Sequence, residues 1–371
     1  MLALSLPAAD FTRRKDLLDK ALSVLEATHP ANHPATAAAI VHCATAAGDS
    51  GDVVRKRDLS VRALAIYEGH LGSESPQLVP VLVMLAAAYG SMGDSNRRRE
   101  LLERAVKARE SSGPGDHPEL PKLLSQLAQA VGEAGDAARK KDLLVRVLAM
   151  RERALGPDHH ELASTIVNLG NTHGLLGDVV TKRELLERAL EIQQRHYGDE
   201  HTEVAAVLVN LGNAHGALGD AAKKKELLVK ALRIQEEAAS RSRMGGKDCS
   251  DVTRTMVSTI VNLGNVWGDL GNSATKKEFL ERALALQEAL LKEKSSPATF
   301  LELATILHNL GAAYGDTGDF WKQRDALERA LRIKETQVGC TATAEPGRLT
   351  LLQFGADHFE LAKTLANLGL A

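Results

Sequence analysis

Thirteen histidines, three cysteines and a series of paired asparagines are the residues of this 371-residue chain whose types could do chemistry. His33, His117, His159, His201 and His358 occupy one column of a repeating pattern. His173 and His215 share another, held elsewhere by Tyr89, Trp267 and Tyr314. Ligands of one zinc ion sit about 2 Å from it, whereas equivalent residues of stacked helical repeats lie roughly 8–10 Å apart. Repeat-related histidines therefore cannot share a metal, and the adjacent His159-His160 does not alter that. The first column is expected to cap turns and the second to fill core. No metal site and no cofactor is assigned. A catalytic triad or carboxylate pair needs residues that break a repeat, yet almost every Asp, Glu and His here belongs to one. The sequence has no GxSxG, P-loop, HExxH or Rossmann glycine pattern. No catalytic residue is assigned, and a metal-dependent enzyme is disfavoured.

The asparagines point elsewhere. The string VNLGN occurs at Val167–Asn171, Val209–Asn213 and Val261–Asn265. Each copy puts two amides three residues apart on one helical face. The pairs are Asn168/Asn171, Asn210/Asn213 and Asn262/Asn265, and Asn309 and Asn367 continue the first column. Asn is a poor helix-interior residue, so its recurrence needs a reason. An amide both donates and accepts, and can satisfy an extended backbone whatever side chains that backbone carries. The competing reason is a bond to the neighbouring repeat.

Composition narrows the class. Charged residues make up 25% and the net charge is −2, so no field favours nucleic acid or an anionic membrane. The trios Arg55-Lys56-Arg57, Arg97-Arg98-Arg99, Arg139-Lys140-Lys141 and Lys223-Lys224-Lys225 would stack into a ridge. Acids follow each trio and no aromatics are interleaved, so a solvated face is expected rather than nucleic-acid binding. Cys43, Cys249 and Cys340 are far apart with no CxxC, which fits free thiols in a reducing compartment. Cys43 falls in a column otherwise filled by Leu and reads as a small core hydrophobe. No apolar run is long enough to span a membrane, and MLALSLPAAD lacks the basic start of a signal peptide. A soluble, cytoplasmic helical protein is expected.

The elements that must position these residues repeat. Gly-Asp pairs occur at Gly51-Asp52, Gly93-Asp94, Gly135-Asp136, Gly177-Asp178 and Gly219-Asp220, each 42 residues after the last. Gly271-Asn272 and Gly318-Asp319 follow at spacings of 52 and 47, and Ala9-Asp10 begins the series. The Gly stops a first helix by taking the left-handed conformation, and the Asp caps a second. An acid precedes a base by four residues on each second helix: Asp16–Lys20, Asp58–Arg62, Glu100–Arg104, Asp142–Arg146, Glu184–Arg188, Glu226–Lys230, Glu278–Arg282 and Asp325–Arg329. Such pairs are expected to support the helix surface by ~0.2–0.5 kcal/mol each. One helix pair cannot bury its apolar stripe alone, so neighbours must stack. Small residues four apart recur on the first helix, from Ala44/Gly48 to Gly170/Gly174, Gly212/Gly216, Gly264/Gly268 and Gly311/Gly315. Gly costs about 1 kcal/mol against Ala there, which implies close packing in every unit.

This arrangement, L-G-x-x-Y/H/W-G-x-x-G-D followed by L-x-x-A-L-x-I, resembles the tetratricopeptide repeat. The 42-residue period and connectors such as GPDHHELA (Gly156–Ala163) and GDEHTEVA (Gly198–Ala205) resemble the kinesin light chain and nephrocystin variant. The resemblance implies an all-α, right-handed solenoid of stacked antiparallel helix pairs. One solenoid over 1–371 is expected, with pairs at 34–71, 76–112, 118–155, 160–197, 202–240, 253–294 and 300–338 and partial repeats at 1–28 and 358–371. It implies a non-enzymatic scaffold binding a protein or extended peptide in the groove lined by the first helices, with kinesin light chain-like cargo or adaptor binding as the finer expectation. Asn168, Asn171, Asn210, Asn213, Asn262, Asn265 and Asn309 are then the groove residues. A Lys four residues before the Asn, needed for a C-terminal carboxylate clamp, is missing except at Lys363. The family's small Ala, five residues after the Gly of each Gly-Asp pair, is here Lys56, Arg98, Lys140, Lys182, Lys224, Lys276 or Gln323. Lys182 and Lys224 are read as groove-edge cations whose stems lie over Gly174 and Gly216. The stretches Ser240–Asp251, Lys292–Phe300 and Val338–Gly355 read as exposed loops. The ends carry no polar capping helix, and Leu361, Leu365 and Leu368 would be left uncovered, which implies self-association or fraying. The alternative within binding proteins is a regulatory array cut from a larger signalling protein.

Overall fold

A computed structural model describes residues 11–30, 32–111, 117–246, 248–293 and 297–342. Among them are fifteen α-helices and no strand. They are α1 (Phe11–Thr28), α2 (Pro34–Asp49), α3 (Val53–Leu71), α4 (Val79–Ser91), α5 (Ser95–Glu110), α6 (Leu120–Glu133), α7 (Ala137–Leu155), α8 (Leu162–Leu175), α9 (Val179–Tyr197), α10 (Thr202–Ala217), α11 (Ala221–Met244), α12 (Ser250–Asp269), α13 (Ser273–Glu293), α14 (Pro297–Asp316) and α15 (Phe320–Ala342). A short 3-10 turn at Pro76–Leu78 leads into α4. The chain divides into two compact units at Asp178/Val179, the first holding α1–α8 and the second α9–α15. Within each unit every helix packs on the next in chain order. Because each turn is short, successive helices run antiparallel, and the result is a stack of helix pairs.

The Gly-Asp pair makes the turn inside each pair. Gly219 takes φ 85°, a conformation that a side chain would penalise, and the same holds for its six counterparts from Gly51 to Gly318. The N–H of Asp220 donates back to His215 O at 2.9 Å, closing the first helix. The Asp220 carboxylate then accepts from Lys223 N at 2.9 Å and opens the second. Asp52, Asp94, Asp136, Asn272 and Asp319 cap in the same way.

Small and branched aliphatic residues fill the interface. In the first unit Ala37, Ile40, Ala63, Leu82, Ala105, Leu124, Ala128, Val147 and Ile166 are buried; in the second Ala189, Leu208, Ala231, Ile260, Ala283, Leu307 and Ala330 are. A Cβ at Gly212 would touch Leu228 Cγ and Lys224 O at 3.4 Å, and one at Gly311 would meet Leu327 Cγ at 2.7 Å. The mid-helix glycines thus mark close approach of paired helices.

Two expectations are corrected. Bases of the expected within-helix pairs turn away from their own helix. Arg62 bridges to Glu26 at 2.5 Å, Arg146 to Glu110 at 2.6 Å and Arg329 to Glu288 at 2.7 Å, while Arg104 meets Glu68 and Arg282 meets Glu236. Each bond ties one second helix to that of the preceding pair, because the stack brings that acid closer than the residue one turn away. The long connectors are also more helical than read. α11 continues to Met244 and α12 starts at Ser250, α13 runs to Glu293 and α14 starts on Pro297, and α15 reaches Ala342. Arg, Met, Lys and Glu propagate a helix well, and Pro is tolerated as its first residue. Leu361, Leu365, Leu368, Lys363, Asn367 and His358 lie outside the described residues.

Candidate functional site

The asparagines sit on first helices. In the second unit, Asn210 and Asn213 are on α10, Asn262 and Asn265 on α12, and Asn309 on α14; all five are half-buried. α10 and α12 also touch each other directly, so their faces are adjacent. Asn210 Nδ2 donates to Ala206 O at 2.9 Å, within its own helix. The side chains of Asn213, Asn262, Asn265 and Asn309 have no hydrogen-bond partner among the described residues. In the first unit Asn168 is exposed, while Asn171 is half-buried and engaged within the protein. On α8, therefore, Asn168 is the open residue of the pair and Asn171 the engaged one.

The cation column lies beside this face. A Cβ at Gly216 would stand 2.5 Å from Lys224 Cδ, so the lysine stem rests in a notch that only glycine leaves open. Gly48, Gly132 and Gly268 make the same notch for Lys56, Lys140 and Lys276 at 2.9, 2.6 and 2.7 Å, and Gly90 does so for Arg98 at 2.9 Å. Gly216 follows Asn213 by three residues, so the lysine and the amide share a helix face. Lys224 is half-buried, and its Cδ, Cε and Nζ all lie against the Gly216 position. Burial lowers the pKa of Lys182, which has no ion-pair partner among the described residues.

The histidines behave as caps more fully than expected. Nδ1 of His33, His117, His159 and His201 accepts the N–H two residues on, at 3.2, 3.3, 3.4 and 3.2 Å. His173 and His215 are half-buried rather than core residues. Each turns Nδ1 toward the capping carboxylate of its own turn, His173 to Asp178 at 3.1 Å and His215 to Asp220 at 3.7 Å. His159, His160 and Glu161 bring ligand atoms within 4.8 Å of one another, a grouping across a repeat boundary that column-by-column reading passes over. His159 has already committed Nδ1 to the Glu161 N–H. The basic trios do not form a uniform ridge. Arg55 pairs with Asp19 at 2.6 Å and Arg139 with Glu103 at 2.7 Å, and Lys225 sits 4.6 Å over the Trp267 ring. Cys43 is buried, and desolvation together with the nearby Asp19 carboxylate pushes its pKa up to about 11.

Comparison with known proteins agrees with this geometry. Family models described as tetratricopeptide repeat match residues 79–112, 122–161, 162–203, 183–237, 257–297 and 304–337, more than half of the chain. The chain belongs to the tetratricopeptide repeat family. A Podosopora anserina protein assigned as a kinesin light chain, with nearly identical TPR-like repeats, is 27% identical at a TM-score of 0.50. That match covers 56% of this chain and 98% of the other. The quorum sensor NprR from B. thuringiensis is similar in fold, with 13% identity, a TM-score of 0.61 and coverage of 88% and 83%. RapI is similar at 11% identity and a TM-score of 0.60, covering 82% and 99%. No curated protein matches the sequence. The family is one of protein-interaction scaffolds, and none of the matching models describes an enzyme. No helix among the described residues is long and apolar enough to cross a membrane.

Proposed function

We propose that the asparagine face of α10, α12 and α14 grips the backbone of an extended peptide or protein segment. The observation that carries this reading is the set of amides at Asn213, Asn262, Asn265 and Asn309 that have no hydrogen-bond partner among the described residues. Each lowers helix propensity by several tenths of a kcal/mol against Ala and returns no internal hydrogen bond. Their donors and acceptors remain available to a chain lying across the adjacent helices. Asn210 supports it from an engaged position on α10; in the first unit, taken by itself, Asn168 presents an exposed amide of the same kind and Asn171 an engaged one. Lys182 and Lys224 flank the amides. The 27% identity to kinesin light chain repeats supports an adaptor of that type, holding a cargo or partner protein. A peptide-array screen of the full chain tests the reading. Peptides captured by the wild type should be lost by the Asn213→Ala/Asn265→Ala variant at unchanged melting temperature. Retention of every captured peptide by that variant would overturn it.

A further inference from the structure

The turn edge of the second unit carries a row of exposed apolar side chains that the stack does not use. Leu218 and Leu270 each stand one residue before a turn glycine and are 41% and 46% exposed. Phe320 and Trp321, two and three residues after Gly318, are 70% and 80% exposed. After the other turn glycines the same two positions hold only Val, Ala, Ser or Asn. The helix they start needs neither aromatic. Asp319 caps α15 by accepting from Lys322 N at 3.3 Å, and Ala326, Leu327 and Ala330 are its buried contacts. In a chain with 3% aromatics, two adjacent ones left in water break the repeat where packing asks for nothing.

We propose that this row docks an amphipathic helix of a partner protein, with Phe320 and Trp321 as its anchors. The site lies on the turns rather than on the first-helix faces, so it stands apart from the asparagine groove. Spacing selects a helix. Equivalent positions of stacked pairs recur roughly every 8–10 Å, and two helical turns rise about 10.8 Å. A helix laid along the three turns therefore presents residues seven apart to each of them from one face. An extended chain covers the same distance in three residues, and residues three apart point to opposite sides of it. Area excludes a second copy of this chain as the occupant. The two aromatics expose roughly 300 Å², the size of a functional patch, whereas each partner of a stable dimer contributes about 800 Å². Charge disfavours an anionic membrane. Lys322 is paired with Asp319 at 3.4 Å, Arg324 with Glu328 at 3.0 Å and Lys276 with Asp316 at 3.4 Å. Among the described residues Asp269, Glu278 and Asp325 make no ion pair, against Lys224 and Lys277, so the rim has no basic excess. Apolar contact must then do the selecting. Arg324 lies 5.8 Å from the Trp321 ring centroid, which reduces the freedom that ring loses on binding.

Fluorescence anisotropy on the full chain tests this with a labelled helical peptide of about eighteen residues, its Leu residues alternately three and four apart and Lys, Glu and Gln elsewhere. A permuted peptide of the same composition, with Leu spread around the helix, is the control. The wild type should bind the striped peptide about tenfold tighter than the permuted one. Phe320→Ser/Trp321→Ser should abolish the preference at unchanged melting temperature, because both side chains are exposed. Asn213→Ala/Asn265→Ala should retain it. In a Trp267→Phe background Trp321 is the one tryptophan left, and the striped peptide should shield it from acrylamide quenching. Equal binding of the two peptides by the wild type, or a preference that survives the double Ser variant, overturns the proposal. So does shielding of Trp321 by raised protein concentration alone with a dimer in sedimentation, which would assign the row to a second copy. Shielding by phosphatidylcholine vesicles would assign it to a lipid surface and overturn it equally. A preference lost in the asparagine variant would place the peptide in the groove, sinking this site while leaving the groove reading intact.

Discussion

Replacing a helix-interior Gly by Ala ordinarily raises stability by about 1 kcal/mol, and Gly216 should be an exception because the Lys224 stem lies against it. A Cβ there would lie 2.5 Å from Lys224 Cδ and 3.3 Å from both Cε and Nζ. No carbon pair tolerates that approach, so the lysine stem must leave its notch, and an off-rotamer displacement costs about 0.5–1.5 kcal/mol. The two terms offset each other, and Gly216→Ala alone is expected to change stability by close to zero. In a Lys224→Ala background the obstruction is gone, and the same substitution should return about 1 kcal/mol. The expected coupling of about 1 kcal/mol lies within the range for residues in contact. Repeat arrays need not unfold in a single step, so amide exchange across α10 and α11 is the appropriate assay, with the melting curve beside it. Equal stabilisation in both backgrounds would refute the notch. Lys224→Ala alone should be neutral within about 0.5 kcal/mol, as for other surface changes; a gain of several kcal/mol would show a buried, uncompensated ammonium instead.

Other outcomes follow from the same geometry. Arg146→Ala should lower stability by about 0.2–1 kcal/mol, less at high salt, since the Arg146–Glu110 bridge is partly exposed; thermal melts at low and 1 M salt read this. The buried Gln235 carbonyl oxygen has no hydrogen-bond partner, so Gln235→Met should raise stability by about 1 kcal/mol in chemical denaturation. Cys43 stays protonated in the fold until about pH 11, whereas the ordinary thiol value is 9.0. Below pH 9 its contribution is fully present; as pH rises toward 11 the unfolded chain ionises first and stability is lost, by on the order of 3 kcal/mol. Cys43→Ala should flatten that part of the pH–stability curve.

What was legible in the sequence was whatever depends on one turn. The Gly-Asp caps, the capping histidines and the pairing of Gly216 with Lys224 follow from local conformation and from size complementarity repeated in register. Partner choice across the stack was not legible. Asp58 and Arg62 are correctly spaced within one helix, but Arg62 finds Glu26 instead. That acid is 36 residues away in sequence and becomes close only once the helix pairs are stacked. The reach of α11 to Met244 does not follow from Gly245-Gly246, which mark only where the helix must stop, because Arg241, Arg243 and Met244 before them still favour helix. On α8 the more open amide is Asn168 rather than Asn171, and this depends on burial that spacing alone does not report.

The most direct test of the account is the pair Asn213→Ala and Asn265→Ala, measured for stability and for peptide capture on the same preparations. Both amides lack a partner among the described residues and are only half-buried, so the account predicts a melting temperature unchanged or slightly raised, through a helix-propensity gain of a few tenths of a kcal/mol per site. It also predicts markedly weaker capture of an extended peptide. A clear fall in melting temperature, corresponding to the roughly 1–3 kcal/mol expected when a buried hydrogen bond is broken, with capture intact, would contradict it and make VNLGN a folding motif.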